Sequence, residues 1–407
     1  MTVRNLILVW AALVVAGTSC RAAETPWKPE SFFEVPKVTP APEVSEEGVK
    51  SVYLEGPAFQ GRPTKVFAFY GLPAGASAER KVPGIVLLHG GGGTAFARWV
   101  RLWNSRGYAA IAIDHFGNLP LGKANAWQRN PHGGPNIDGG ARVDEPLGDQ
   151  WMYHAVANTM LAHSLLRSLP EVDAERTGLT GISWGGVIAS TVSGLDMRFK
   201  FVVPIYGCGF ISDASADDGS RFVGGNLPPE KAARWRALWD PANYLPRSDV
   251  PMLWVTGTND FAFTLRALQL SHREARGPHS FSFRVEMTHG QRAGESPEEV
   301  RVFADSIVNG GHPLVRVLAF GVESGKAWMK FEPAAAIKGV ELIYTRYPGT
   351  WQNRKWETLP AAWSSDGRAD IQLPKGVRAC FFNITDDRGL IVSSDPDLAV
   401  KKYSITQ

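Results

Sequence analysis

The sequence predicts an α/β fold, a mostly parallel sheet flanked by helices, with a small carboxyl-terminal β-sandwich domain. Three observations predict it. From residue 82 to residue 287, short near-continuous apolar runs alternate with helical stretches, the texture of parallel strands buried on both faces. Two glycine-rich turns, His89–Gly93 and Gly181–Gly186, directly follow such apolar runs. Beyond Gly310-Gly311-His312-Pro313 the helical period stops and short alternating segments with Pro/Gly/Asn/Asp turns take over. A chain of 407 residues suits one large domain and a smaller one.

Taken in order, residues 1–23 read as an export signal. Arg4 supplies the positive start, Leu6 to Gly17 is an apolar run too short for a bilayer span, and small residues follow at Thr18-Ser19. Cleavage between Ser19 and Ala23 gives a secreted or periplasmic protein. Lipidation at Cys20 is the alternative and would tether it to a membrane, although Gly17 stands where leucine is usual. Residues 24–48 are rich in proline and acids and read as an arm. The catalytic domain is expected over 49–311, opening with strands at Val49–Leu54 and Thr64–Tyr70 as an antiparallel edge. Buried strands follow at Val82–Leu88, Tyr108–Ile113, Lys200–Ile205 and Val250–Val255, then Ser280–Met287. Helices are expected at 95–106, 149–169, 263–275 and 297–309. Two long segments, 115–147 and 207–249, should shape the pocket, the second with a short helix near Pro229–Leu238. Residues 313–407 form the β-sandwich.

Composition excludes several function classes. A net charge of +3, with no basic run and no interleaved aromatic platform, argues against nucleic acid. No later apolar run reaches membrane-spanning length. The histidines lack zinc spacing and the Asp213/Asp217/Asp218 cluster matches no calcium loop, so neither metal nor cofactor is expected. Cys208 and Cys380 fall in different predicted domains and read as free buried thiols. The 14 tryptophans suit core and domain-interface packing, with sugar-ring platforms as the other use.

Gly181-Ile182-Ser183-Trp184-Gly185 is a G-x-S-x-G turn between a strand and a helix. Glycines two residues either side of Ser183 relieve the crowding of so sharp a turn, and the helix behind it aims backbone N–H groups at developing negative charge. Serine needs a base, normally a histidine held by a carboxylate. Asp260 follows the strand Val250–Val255 within Thr256-Gly257-Thr258-Asn259-Asp260, and His289 follows the next strand within Thr288-His289-Gly290. Both sit where open α/β sheets put their active sites, at the carboxyl ends of strands. Trp184 and the 89–93 loop should supply the oxyanion-binding N–H groups, Gly91 first and Gly92 second. Phe261, Trp127 and Phe210 are candidate substrate-binding aromatics, with satellite packing as the competing account.

HGGGG (His89–Gly93), GISWGG (Gly181–Gly186), TGTND (Thr256–Asp260) and THG (Thr288–Gly290) together resemble the α/β-hydrolase superfamily over about residues 49–311. The doubled glycine after Ser183 is similar to the dienelactone-hydrolase, acetyl-xylan-esterase and prolyl-oligopeptidase-like branch. That resemblance implies Ser183, Asp260 and His289 as a triad. The peptidases of the branch usually carry a β-propeller and tend to have tyrosine where Trp184 stands, and dienelactone hydrolases use cysteine as nucleophile. The expected activity is therefore a secreted serine esterase removing small acyl groups from carbohydrate. A serine peptidase and a non-catalytic carbohydrate-binding protein are the alternatives.

Overall fold

A computed structural model describes residues 26–211 and 227–398. The export signal with Cys20, the Asp213/Asp217/Asp218 cluster, and residues 212–226 of the second pocket-shaping segment lie outside the described residues. The chain enters through a 3-10 turn, Pro29–Phe32, and β1 (Val38–Pro40), then the hairpin β2 (Lys50–Phe59) and β3 (Arg62–Gly71). Next come β4 (Val82–Leu88), α1 (Ala97–Ser105), β5 (Ala109–Ile113), and a second hairpin of β6 (Asn118–Lys123) and β7 (Ala126–Arg129). They are followed by α2 (Trp151–Ser168), β8 (Val172–Ile182), α3 (Trp184–Val192), β9 (Phe201–Ile205), α4 (Pro229–Trp239), β10 (Met252–Gly257) and α5 (Leu265–Glu274). β11 (His279–Arg284), α6 (Gln291–Glu295) and α7 (Glu298–Val308) complete this part.

Strands β5, β4, β8, β9, β10 and β11 pair in parallel, with β3, β2 and β1 added antiparallel beyond β5. Every residue of β5, β9 and β10 is buried, which is why these strands read as unbroken apolar runs. Because the β4, β8, β10 and β11 carboxyl ends all point one way, the loops that follow them converge on one edge of the sheet.

The proline-rich arm lies against the core. Trp27 and Phe32 are buried, Trp27 stacks on Tyr153 of α2 at 4.9 Å, and its indole N–H donates to the Tyr244 hydroxyl at 3.1 Å. Segment 115–147, expected to lack regular structure, contains the β6–β7 hairpin. Its turn uses Asn125 at φ +63°, a left-handed conformation that asparagine tolerates.

The terminal strands are β12 (Arg316–Glu323), β13 (Lys326–Glu332), β14 (Ile337–Thr345), β15 (Glu357–Pro360), β16 (Ala362–Ser364), β17 (Arg368–Gln372), β18 (Ala379–Asp386) and β19 (Ile391–Ser393). They form two antiparallel sheets. One, β12-β13-β17-β16, stands alone; the other, β19-β18-β14-β15, continues the main sheet through a β11–β19 pairing at Phe281 and Ser393. An exposed parallel edge at β11 would offer unpaired backbone groups, and β19 covers it. The fully buried Glu299 carboxylate on α7 accepts from Arg284 of β11 and from the Ile391 N–H at 2.7 Å, so one side chain joins helix, sheet and terminal strand.

Candidate active site

Ser183 caps α3 at φ +57°, ψ −117°, a strained conformation for a residue with a side chain. The glycines around it permit the turn. A Cβ on Gly181 would overlap the Gly185 carbonyl, and one on Gly185 would overlap the Leu88 carbonyl at the end of β4. The Ser183 N–H donates to the Ile205 carbonyl at 2.9 Å, fixing the elbow to β9.

His289, on the loop after β11, puts Nε2 at 2.9 Å from Ser183 Oγ and Nδ1 at 2.6 Å from Asp260 Oδ2. The Asp260 side chain is fully buried, and its other oxygen accepts the N–H groups of Ala262 at 2.9 Å and Phe263 at 2.7 Å. It does not cap α5; Thr264 does, accepting from the Ala267 N–H at 3.2 Å. Both carboxylate oxygens are thus occupied and the rotamer has little freedom. Aromatic rings surround the imidazole: Tyr206 at 4.6 Å, Phe261 at 4.7 Å and Phe263 at 6.2 Å between centroids. Tyr206 and Phe263 are themselves buried, so the imidazole is packed on that side.

The 89–93 loop lies against this row. The position of a Cβ on Gly90 falls 3.1 Å from Ser183 Cβ, and one on Gly91 falls 3.4 Å from Trp184 Cδ1. The loop's peptide planes are held individually. The His89 carbonyl accepts from His115 Nε2 at 2.8 Å, and the Gly90 N–H donates to Gln291 Oε1 at 3.2 Å. The Gly90 carbonyl is turned into the loop, accepting from the Gly93 N–H at 3.1 Å with His89 Nδ1 at 2.8 Å. The peptide is trans and planar, so the Gly91 N–H must point the opposite way, out of the loop. It meets no acceptor among the described residues. Trp184 begins α3, directly after Ser183.

Behind the loop lies a buried polar cluster. His89 and His115 stack at 3.9 Å, and Asp114 Oδ2 approaches His89 Nε2 at 3.7 Å. This is not an ion pair of ordinary kind. Burial pulls His89 down to about 4 and His115 well below its usual value, while it pushes Asp114 up. Both rings are therefore neutral at pH 7 and act as hydrogen-bonding spacers.

Of the expected substrate-binding aromatics, Phe261 is 55% exposed beside His289. Trp127 has a different use: its indole N–H donates to the Gly92 carbonyl at 2.9 Å, beside the Asn125 N–H at 3.1 Å. Phe210 stands at φ +55°, with its N–H on Asp240 Oδ1 at 2.8 Å, and makes no ring contact with His289 among the described residues. Tyr206, Gln291 and Asn259 belong to the site and were not singled out from sequence. Tyr206 immediately follows the carboxyl end of β9, a position that could have flagged it; its hydroxyl donates to the Gly290 carbonyl at 3.2 Å. A cavity of about 550 Å³ lies elsewhere, between α5 and the terminal strands, lined by Arg266, Gln269, Trp351 and Arg354 among others. Ser183, Asp260 and His289 do not line it. The thiols of Cys208 and Cys380 are both free and buried. Among the described residues no group of three or more acidic, histidine or cysteine side chains could hold a metal, and no helix is long and apolar enough to cross a membrane.

Comparison with known proteins bears on the fold. Residues 36–215 match the acetyl xylan esterase family, a span that includes Ser183 and the 89–93 loop and ends before Asp260 and His289. The acetyl xylan esterase from Paenibacillus sp. R4 superposes with a TM-score of 0.55 at 18% identity, covering 69% of this chain and 92% of that one. Two fungal proteins described as "Probable dipeptidyl-peptidase 5" are also similar. That of Aspergillus clavatus is 29% identical over 159 residues and that of Aspergillus terreus 25% identical over 169. Each match covers 38% of this chain and 20% of the relative, so this chain aligns with a fifth of the length of those proteins.

Proposed function

The chain has the α/β-hydrolase fold and resembles the branch that contains acetyl xylan esterases, and on that footing we propose that it is a serine carboxylic ester hydrolase that deacetylates carbohydrate. The observation that carries the reading is the unbroken row Asp260–His289–Ser183, at 2.6 and 2.9 Å. In this reading Ser183 Oγ attacks the ester carbonyl as His289 Nε2 takes its proton. Asp260 holds the imidazole through Nδ1 and offsets the charge that forms on it. The N–H groups of Gly91 and Trp184 stabilise the oxyanion. His289 then donates its proton to the ester oxygen of the sugar as the bond from that oxygen to the acyl carbon breaks, and the sugar leaves as the free hydroxyl. Water, deprotonated by the same nitrogen, hydrolyses the acyl-enzyme and returns Ser183. The aromatic wall of Tyr206, Phe261 and Phe263 suits a small acyl group such as acetyl.

The proposal includes export. Arg4 and the run Leu6–Gly17 would direct it, with cleavage between Ser19 and Ala23 or a lipid anchor on Cys20. The catalytic part is taken as 49–311 and the accessory part as 313–407. The partial likeness to proteins described as dipeptidyl-peptidases supports a second reading, amide hydrolysis by the same triad. Wild type and Ser183→Ala are compared on p-nitrophenyl acetate, p-nitrophenyl octanoate, acetylated xylan and an aminoacyl p-nitroanilide. Acetate release that vanishes in the variant, with slow octanoate turnover, is the expected result. Anilide cleavage without ester preference would replace it with the peptidase reading, and no Ser183-dependent turnover would leave a binding role.

A further inference from the structure

The loop that carries Asp260 is held from outside the catalytic part of the chain. Asn259, its immediate neighbour, donates both side-chain N–H bonds to backbone carbonyls of the terminal β region, Gln352 at 3.1 Å and Arg354 at 2.7 Å. The amide oxygen of Asn259 accepts from Thr258 Oγ1 at 2.8 Å. Thr258 Oγ1 in turn accepts from the Glu286 N–H at 3.0 Å, three residues before His289. One hydrogen-bonded chain therefore runs from the 351–354 turn to the loops of both the acid and the base. The far end of the chain is stiff. Trp351 is buried, the Arg354 guanidinium lies 4.1 Å over its ring, and Trp351 meets Trp356, which packs on Phe381 of β18. Glu286 stands at φ +52°, a conformation that non-glycine residues seldom adopt, and the Thr258 hydroxyl holds its N–H.

We propose that Asn259 is a positioning residue, and that through it the terminal β region sets the geometry of the Asp260–His289 pair. The inference rests on the triad reading above. An asparagine suits the task because its amide gives two donors and an acceptor from one short side chain. A hydrogen bond of 2.6 Å between Asp260 and His289 tolerates little displacement, and misplacing a catalytic group by about 1 Å costs on the order of 100-fold in rate. The terminal strands would then be a working part of the hydrolase rather than a detachable sugar-binding module.

The test uses the full chain with Asn259→Asp, which keeps the shape but replaces both donors with a charged oxygen, and with Asn259→Leu, which removes the donors without adding charge and must lose kcat alike. Thr258→Val, which cuts the relay further along, and Asp260→Asn complete the set. Initial rates on p-nitrophenyl acetate are expected to show kcat down about tenfold for Asn259→Asp with KM unchanged. Thr258→Val should fall in the same direction. Because Asn259 acts through Asp260, adding Asn259→Asp to Asp260→Asn should cost almost nothing more, the non-additivity of residues that act as a unit. An equal fold-loss in both backgrounds, a change in KM alone, or an unchanged kcat would overturn the inference. If Asp260→Asn itself retained full kcat, the triad reading would fail instead, which keeps the two failures distinct. Melting temperatures within a few degrees of wild type are required of each variant, and if Asn259→Asp does not fold, Thr258→Val decides by the same criteria.

Discussion

Trp127 offers the sharpest separation between two uses of one side chain. It was a candidate sugar platform by sequence, and its indole N–H is instead bonded to the Gly92 carbonyl at 2.9 Å. The peptide between Gly92 and Gly93 is held at both ends, by Trp127 and Asn125 on its carbonyl and by the Gly90 carbonyl on its N–H. That plane sits two residues from the N–H of Gly91. Trp127→Phe keeps a smaller aromatic ring opposite Phe96 and deletes the donor, leaving the Asn125 bond at 3.1 Å in place. A neutral hydrogen bond of this kind is worth about 1 kcal/mol net. If that strain is felt when the oxyanion forms, kcat falls about fivefold, since roughly 1.4 kcal/mol corresponds to tenfold. The ceiling is loss of the oxyanion donor itself, on the order of 100-fold. Steady-state kinetics on p-nitrophenyl acetate and on acetylated xylan should show the same kcat loss with KM constant on both. A KM increase confined to the polysaccharide, with kcat intact, would refute the clamp and restore Trp127 as a sugar platform.

Two further outcomes follow from packing and burial. Gly185→Ala would drive a Cβ into the Leu88 carbonyl at the end of β4, where neither strand nor helix can yield, and should cost about 3 kcal/mol in urea unfolding; a midpoint equal to wild type would show the elbow to be looser than drawn. His154, with Nε2 at 2.7 Å from the Gly148 carbonyl, is pushed by burial from 6.5 to about 4, and His89 likewise. Between those values the unfolded chain binds more protons than the folded one, so stability is intact above about 6.5 and falls as pH drops towards 4, by up to about 3 kcal/mol per ring. His154→Gln retains a donor for Gly148 and removes one such titration, so its melting temperature should decline less between pH 7 and pH 4.5; a slope identical to wild type would contradict this.

Ser183, Asp260 and His289 could be read from sequence because a parallel sheet turns chain order into position. Each follows a buried strand, all the carboxyl ends face one edge, and the loops between are short enough to leave each side chain at that edge. The 89–93 loop follows β4 to the same edge, and its Gly90 carbonyl is turned back onto the Gly93 N–H. What escaped reading depends on partners remote in sequence. Asn259 meets Gln352 and Arg354, 93 and 95 residues away, and Trp27 meets Tyr244 across 217. No local period encodes such pairs. The junction of the two sheets escaped for a different reason: β19 spans only Ile391–Ser393, too short for alternation to register, and its pairing with β11 is specified by neighbours. Ser393 Oγ accepts the Phe283 N–H at 2.8 Å and donates to Asn383 at 2.6 Å, while the Asn383 amide donates to the Phe283 carbonyl at 3.1 Å. Two polar side chains thus close the hydrogen bonds that a longer strand would have made with its backbone. The same substitution of side-chain amide for backbone occurs at Asn259. At each seam an asparagine joins the two parts, Asn383 from β18 to β11 and Asn259 from the Asp260 loop to the 351–354 turn, and only Asn259 stands next to Asp260. That asymmetry is why Asn383 should govern stability and Asn259 should govern rate.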